Sequence, residues 1–418
     1  MKKYGLQKIY TLYIVLLPIV NVYAAPVVTG LGMGELIGIF LCTILTIDIV
    51  SKYKGMLKIS NILYWIFIFY MIFISWMLTF ILPEYTLSET VIRTLKLIFY
   101  TFNIFALAPK YFDFQLALKI CINVSVIASI YLLIQNFVYL TSGSMLPVVI
   151  PGTNVIYTGT WTSEAYNALV IRKMAFGYRP CGFFLEPSYF CQYTVYSVLM
   201  LLMKSQKEKF DYLELVIISV AILLTKSALG YVCFVLIWCA WFVCSFKKRK
   251  LPMNVVIIIC IILVLLIAEI RFGFAQAAIE RVATVLLSGT STGTVRLLRG
   301  FIVFSKLPLI YKIIGIGAGN YGGFIRTYNI VTMFDTSISV GNEYMNSVST
   351  IMVYTGIIGS VLYGIAIYRI FKKSCLIQKL MGIIWIVIMF SESNFFTASY
   401  AFPLILISSN WKTVDIET

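Results

Sequence analysis

"SNILYWIFIFYMIFISWMLTFIL", residues 60–82, runs for 23 residues without a charged side chain. A helix rises 1.5 Å per residue, so this run reaches across a hydrocarbon core of roughly 30 Å. Runs of the same kind recur along the whole chain. Its 418 residues are 61% hydrophobic and 12% charged, about half the ~25% charge of a soluble domain. The fold expected is all-α, a polytopic integral membrane protein forming a single membrane domain over 1–418.

The apolar runs fall at 8–29, 31–50, 60–82, 91–108, 114–140, 187–203, 212–228, 230–246, 252–270, 347–368, 378–392 and 396–411, which predicts about 12 transmembrane helices. The first follows Met-Lys-Lys. It exceeds a signal-peptide core and a second run follows at once, so it reads as a retained anchor.

The net charge of +16 raises the question of nucleic acid or an acidic partner. The placement of the cations answers it. With both termini in the cytoplasm, the inner segments carry Lys2, Lys3 and Lys8; Lys52, Lys54 and Lys58; Lys110; Lys204, Lys207 and Lys209; Lys247, Lys248, Arg249 and Lys250; Arg369, Lys372 and Lys373; and Lys412. The short outer loop "PEYTLSE" (83–89) has only acids. This is the positive-inside pattern. Most of the charge serves topology, and no nucleic-acid partner is expected.

Other chemistries are thinly provided for. The chain has nine cysteines, mostly within apolar runs, where they read as small hydrophobes. It has no histidine, the commonest acid/base residue and metal ligand. No Cys-x-x-Cys pair offers a metal site. Neither a metal nor a cofactor is expected.

Two long stretches, 141–186 and 271–346, fall on the outer side. The first carries Arg172, Lys173 and Arg179 against Glu164. The second carries Arg271, Arg281, Arg296, Arg299, Lys306, Lys312 and Arg326 against Glu280, Asp335 and Glu343. Long loops are exempt from the positive-inside rule, so a solvated basic face is one reading. Yet these cations are mostly arginine, whereas the inner ones are mostly lysine. Topology needs only charge, while the guanidinium fork suits phosphate oxygens.

Within the second stretch, "FAQAAIERVATVLL" (274–287) predicts an interfacial helix. "SGTSTGT" (288–294) breaks it and offers Thr292 or Thr294 as a cap. "VRLLRGFIVFSK" (295–306) then places Arg296 and Arg299 on one helix face. "IGIGAGNYGG" (314–323) lacks the Gly-Lys-Ser/Thr ending of a nucleotide loop. It reads better as a turn where another element approaches the backbone closely.

"STGTVRLLRGFIVFSKLPLIYKIIGIGAGNYGGF" (291–324) resembles the large periplasmic loop of the O-antigen polymerase and ligase superfamily: an arginine opening a helix, apolar residues, a proline, then a glycine string ending in Asn. "NSVSTIMVYTGIIGSVLYG" (346–364) is similar to the span that follows that loop. "RPCGFFLEPSYF" (179–190) resembles its Arg-x-x-Gly-x-x-x-Glu-Pro lead into the middle span, and "LLTKSALGYV" (223–232) the turn after it. Together these cover roughly 179–364, in order. Ligases of the superfamily usually carry histidine before that Asn, where this chain has Met345. Many relatives have arginine where this chain has Lys226, which leaves that residue's role open.

The resemblance implies a membrane glycosyltransferase of the GT-C-like architecture with two long periplasmic loops, in the bacterial inner membrane, its active site facing the periplasm. It implies an O-antigen polymerase that moves a growing glycan from undecaprenyl pyrophosphate onto the next lipid-linked repeat unit of lipopolysaccharide. A lipid-linked oligosaccharide flippase or an O-antigen ligase are the alternatives. The partners implied are undecaprenyl-pyrophosphate-linked oligosaccharides, membrane lipids and a chain-length regulator protein.

A lipid pyrophosphate leaves without a general acid but needs positive charge where negative charge develops. A carboxylate near the acceptor hydroxyl would assist attack. Arg296 and Glu186 are therefore the catalytic candidates, with Asp335 and Glu343 behind Glu186. Arg179, Arg299, Arg172, Arg326, Asn320 and Tyr321 are the candidates for pyrophosphate and glycan binding. Each arginine also has a bland reading as a solvated or snorkelled side chain. Glu186 has one as the residue before a helix opened by Pro187. Tyr321 and Tyr344 fit sugar stacking or interface anchoring. Arg93 and Lys119, in or near spans, receive no role.

Overall fold

The computed structural model describes residues 2–25, 31–53, 60–156, 160–173, 177–204, 207–247, 292–334 and 342–409. The protein is mostly helical. The span expected at 252–270 and the interfacial helix expected at 274–287 lie outside the described residues.

Among the described residues five helices are long and apolar enough to cross a membrane: Met33–Ser51, Ile62–Ile81, Leu87–Tyr111, Phe114–Ser142 and Ser347–Lys373. At 1.5 Å per residue they measure roughly 28–44 Å. Gly5–Val20, Ala228–Cys244, Leu376–Ser391 and Ala398–Ser408 are apolar but shorter. The opening stretch shows why such helices suit a membrane. Helix Ile62–Ile81 buries Tyr64, Phe67, Ile68, Met71, Ile74, Ser75 and Leu78 on one side. On the other, Phe69, Phe73 and Phe80 are 62%, 63% and 78% exposed. A helix apolar all round, with such a stripe left uncovered by protein, suits hydrocarbon and not water. Pro83 follows and cannot continue it.

The chain divides into two compact units. The first takes the described residues of Met1–Leu41 and Asp113–Val282. Its centre is helix Pro187–Met203, whose residues from Phe190 to Leu202 are all buried. Helices Phe114–Ser142, Lys209–Leu224 and Ala228–Lys247 pack around it, and Lys2–Val20 packs on Phe114–Ser142. Small polar side chains let the central helix approach: the Ser125 and Ser197 hydroxyls bond at 2.8 Å, an economical contact between apolar helices. Residues 141–186 are not simply a loop. They hold an antiparallel hairpin, Asn154–Ile156 with Thr160–Thr162, paired at Val155 and Trp161, and a helix, Ser163–Lys173. This hairpin is a departure from the all-α expectation. A small apolar cluster of Val148, Val149, Val155, Tyr166, Cys181 and Leu185 sits beneath it.

The second unit takes the described residues of Cys42–Phe112 and Ala283–Asn410. Its centre is helix Ser347–Lys373, packed on Ile62–Ile81, Thr292–Lys306, Leu309–Ile314 and Leu376–Ser391. That helix kinks at Gly356 (φ 62°, ψ −165°). The carbonyls of Val353 and Tyr354, just before the kink, accept bonds from Ile316 N at 3.1 Å and Gly317 N at 3.0 Å. Irregular backbone inside such a helix is tolerated because neighbouring backbone satisfies it. Gly317 itself has φ 71°, and a Cβ there would lie 2.7 Å from the Ser75 Cα. The glycine string is thus a close-approach turn, as its composition suggests. It lets one extended segment pass between helices Ile62–Ile81 and Ser347–Lys373.

Candidate functional site

In the second unit, helix Thr292–Lys306 begins a few residues earlier than "VRLLRG" suggests. Thr292 and Thr294 therefore lie inside its first turn and do not cap it from outside. The helix crosses the start of Ser347–Lys373 at Gly300, where a Cβ would sit 2.0 Å from the Ser349 hydroxyl. Asn346 locks this crossing. Its Nδ2 donates to the carbonyls of Arg296 at 3.0 Å and Leu297 at 2.9 Å, and its Oδ1 accepts from Ser349 N at 2.8 Å. One side chain thereby caps one helix and holds another.

The crossing fixes Arg296. Its Nη1 donates to Glu392 Oε2 at 2.5 Å, and its Nε donates to the Tyr344 hydroxyl. The guanidinium lies 4.7 Å from the Tyr344 ring centroid, a cation–π distance. The Arg296 and Glu392 side chains are 16% and 6% exposed. Glu392 stands just past the C-terminus of helix Leu376–Ser391, where the helix dipole disfavours a carboxylate. The arginine offsets that cost. The Glu392 carbonyl accepts from Ser347 N at 2.9 Å and from its hydroxyl at 2.7 Å, so the acid is tied to the same helix start. Arg299, fully buried, donates from Nη1 to the Asn342 carbonyl at 2.7 Å. Both arginines thus organise the 342–346 segment. Met345 is buried.

In the same unit, Arg93 Nη2 meets Glu343 Oε2 at 2.5 Å. The pair lines a cavity of about 160 Å³ whose wall also includes Lys96, Thr350, Tyr354, Ser393, Phe395, Phe396 and Thr397. These residues come from helix Leu87–Phe102, the approach to helix Ser347–Lys373 with its first turns, and the turn between Leu376–Ser391 and Ala398–Ser408. The charge pattern predicts the outer side for all three of those segments.

The remaining candidates of this unit have other surroundings. Asn320 is buried. Its Oδ1 accepts from Thr86 N at 2.7 Å and its Nδ2 donates to the Thr90 hydroxyl at 2.7 Å, so it joins the glycine string to the start of helix Leu87–Phe102. Tyr321 is fully buried, away from a position where a sugar could stack on its face. Arg326 is exposed in the last turn of the short helix Tyr321–Thr327. Tyr85, nearby, donates to the Ile316 carbonyl at 2.7 Å. Burial first, and the neighbouring Tyr311 and Tyr328 after it, push its phenol up from the usual range, so it acts as a neutral donor.

In the first unit, Glu186 occupies the N-cap position before Pro187 with an extended backbone (φ −139°, ψ 153°) and makes no side-chain cap. Its carbonyl accepts from Tyr189 N and Phe190 N. Arg179 Nε donates to the Thr225 carbonyl at 3.3 Å, at the C-terminal end of helix Lys209–Leu224, where a cation complements the dipole. Lys226 follows with φ 50°, an uncommon left-handed conformation for a side chain of this size. Gly182 and Gln135 exchange two hydrogen bonds of 2.9 Å each, which anchors the "RPCGFFLEP" segment. Arg172 lies at the end of helix Ser163–Lys173, its side chain outside the described set, as is Asp335.

Two residues of the second unit escape sequence reading: Glu392, which closes on Arg296, and Lys96, which lines the cavity. Both are ionisable groups in or at the edge of an apolar run, the signal that marks function in membrane segments. Among the described residues no three carboxylate or thiol side chains gather to hold a metal ion. No protein-family model matches the chain, and no curated protein matches it.

Proposed function

We propose that this chain is an O-antigen polymerase of about 12 transmembrane helices, a glycosyltransferase of the bacterial inner membrane. It transfers the growing glycan from undecaprenyl pyrophosphate onto the next lipid-linked repeat unit at the periplasmic face. The observation that carries this reading is Arg296, held by Glu392 and Tyr344 against the start of an apolar helix. A lipid pyrophosphate needs positive charge as the glycosidic bond breaks, and a guanidinium fixed in advance provides it without reorganisation. Arg326, exposed in the same unit, is a supporting cation, and Glu186 of the first unit is the carboxylate candidate that the resemblance implies. The motif resemblance over 179–364 supports the same reading.

A flippase would carry charge through the middle of several helices. Among the described membrane-length helices only Leu87–Tyr111 does, at Arg93 and Lys96; Ile62–Ile81 carries none, and Phe114–Ser142 carries only Lys119, near its start. Complementation of a polymerase-deficient strain tests the proposal. Arg296→Ala should leave lipopolysaccharide capped with single repeat units, Arg296→Lys should restore little, and Glu186→Gln should shorten the ladder. A normal long-chain ladder from Arg296→Ala would sink the assignment.

A further inference from the structure

The cavity beside Arg93 has features that the arginine helix does not account for. Arg93 and Lys96 are three residues apart and so share a face of helix Leu87–Phe102. Lys96 lies nine residues past Leu87, about 14 Å along an apolar helix, where an ammonium is costly and marks a ligand path. Glu343 forms part of the wall and holds the Arg93 guanidinium. The Tyr354 hydroxyl is buried in the wall, facing the Glu343 carboxylate. Phe396 lines it with φ 53°, a genuine outlier for a bulky residue. It is kept there by stacking on Tyr400, with centroids 5.4 Å apart and planes at 30°. Strain of this kind persists where surrounding structure over-determines it, and such places cluster at ligand clamps.

Cations for a phosphate, a carboxylate and hydroxyls for sugar hydroxyls, and aromatic rings for the apolar face of a pyranose make one recognisable set. At about 160 Å³ the space suits a single ring and not a lipid chain. We propose that this cavity binds the phosphate-linked sugar of a lipid-linked saccharide, with Arg93 and Lys96 on the phosphate and Glu343 and Tyr354 on the ring hydroxyls. The proposal rests on the polymerase reading for the source of that saccharide, and it adds a subsite that the arginines of the large loop do not form.

The test is equilibrium binding to the full-length protein in nanodiscs. The probes are lipid-linked repeat unit extracted from a polymerase-deficient strain, undecaprenyl pyrophosphate without sugar, and phosphatidylglycerol vesicles. Lys96→Gln should weaken the repeat unit about tenfold, with Lys96→Arg restoring most of it. Glu343→Gln should weaken the repeat unit more than sugar-free undecaprenyl pyrophosphate, since it also releases Arg93. If Glu343→Gln loosens the fold, Tyr354→Phe, which removes only a hydroxyl, should still lower affinity for the sugar-bearing probe alone. Wild-type affinity in Lys96→Gln and Tyr354→Phe would overturn the proposal. So would equal affinity of the wild type for the probes with and without sugar, or displacement by phosphatidylglycerol. Polymerisation of the repeat unit by the wild type is scored separately. Binding that responds to Lys96 without polymerisation would remove the polymerase reading and leave the site. Polymerisation with binding indifferent to Lys96 would do the reverse.

Discussion

Replacing Glu392 by alanine removes the carboxylate that Arg296 grips at 2.5 Å, with only 6% of the glutamate side chain and 16% of the arginine exposed. Charge centres about 4 Å apart attract by about 4 kcal/mol at an effective dielectric near 20. The exposure is too small for water to replace the lost partner fully, so the guanidinium is left under-solvated. Breaking one side of a buried pair costs about 3–5 kcal/mol, and the arginine's partial access puts this pair at the lower end. The Glu392 carbonyl bonds to Ser347 survive the change, since they are backbone contacts. The destabilisation should therefore come from charge. Unfolding in detergent micelles, followed for Glu392→Ala, Arg296→Ala and the double variant, measures it. Each single change should cost roughly 3 kcal/mol, and the double variant well under the sum, with a coupling of about 2 kcal/mol or more. Glu392→Gln should lie between wild type and alanine. Additive single effects, with coupling under about 0.5 kcal/mol, would show that the pair is not formed and would refute the reasoning.

Two further outcomes follow from the glycine string and the charge pattern. Gly317→Ala should destabilise by roughly 2–5 kcal/mol, because a left-handed φ meets a Cβ 2.7 Å from the Ser75 backbone; unchanged detergent melting would show that the segment does not pass there. Reporter fusions at Lys250 should register the cytoplasm and at Thr290 the periplasm, and the reverse pattern would invert the assignment of every outer residue.

Helix positions were largely legible in the amino-acid order. The run at 60–82 became helix Ile62–Ile81, the run at 187–203 became Pro187–Met203, and the kink-facing glycines announced a close approach. Local physics suffices there: an apolar run of sufficient length has no better conformation in hydrocarbon than a helix, and a glycine string has no Cβ to obstruct a neighbour. The hairpin at 154–162 was less legible because its strands span three residues each, too short for alternation to register.

Pairings were another matter. Nothing in "SES" at 391–393 announces that Glu392 will close on Arg296, 96 residues earlier. Asn320 and Tyr321 look available for a ligand in sequence, yet packing buries both. Lys96 looks like a stray charge until Glu343 and Phe396 join it in lining one cavity. Composition and periodicity fix what each segment does with itself and with hydrocarbon. Which acid meets which arginine depends on the crossing of helices at Gly300 and Ser349 and on the turn after Ser391, geometry that exists only once the helices have packed.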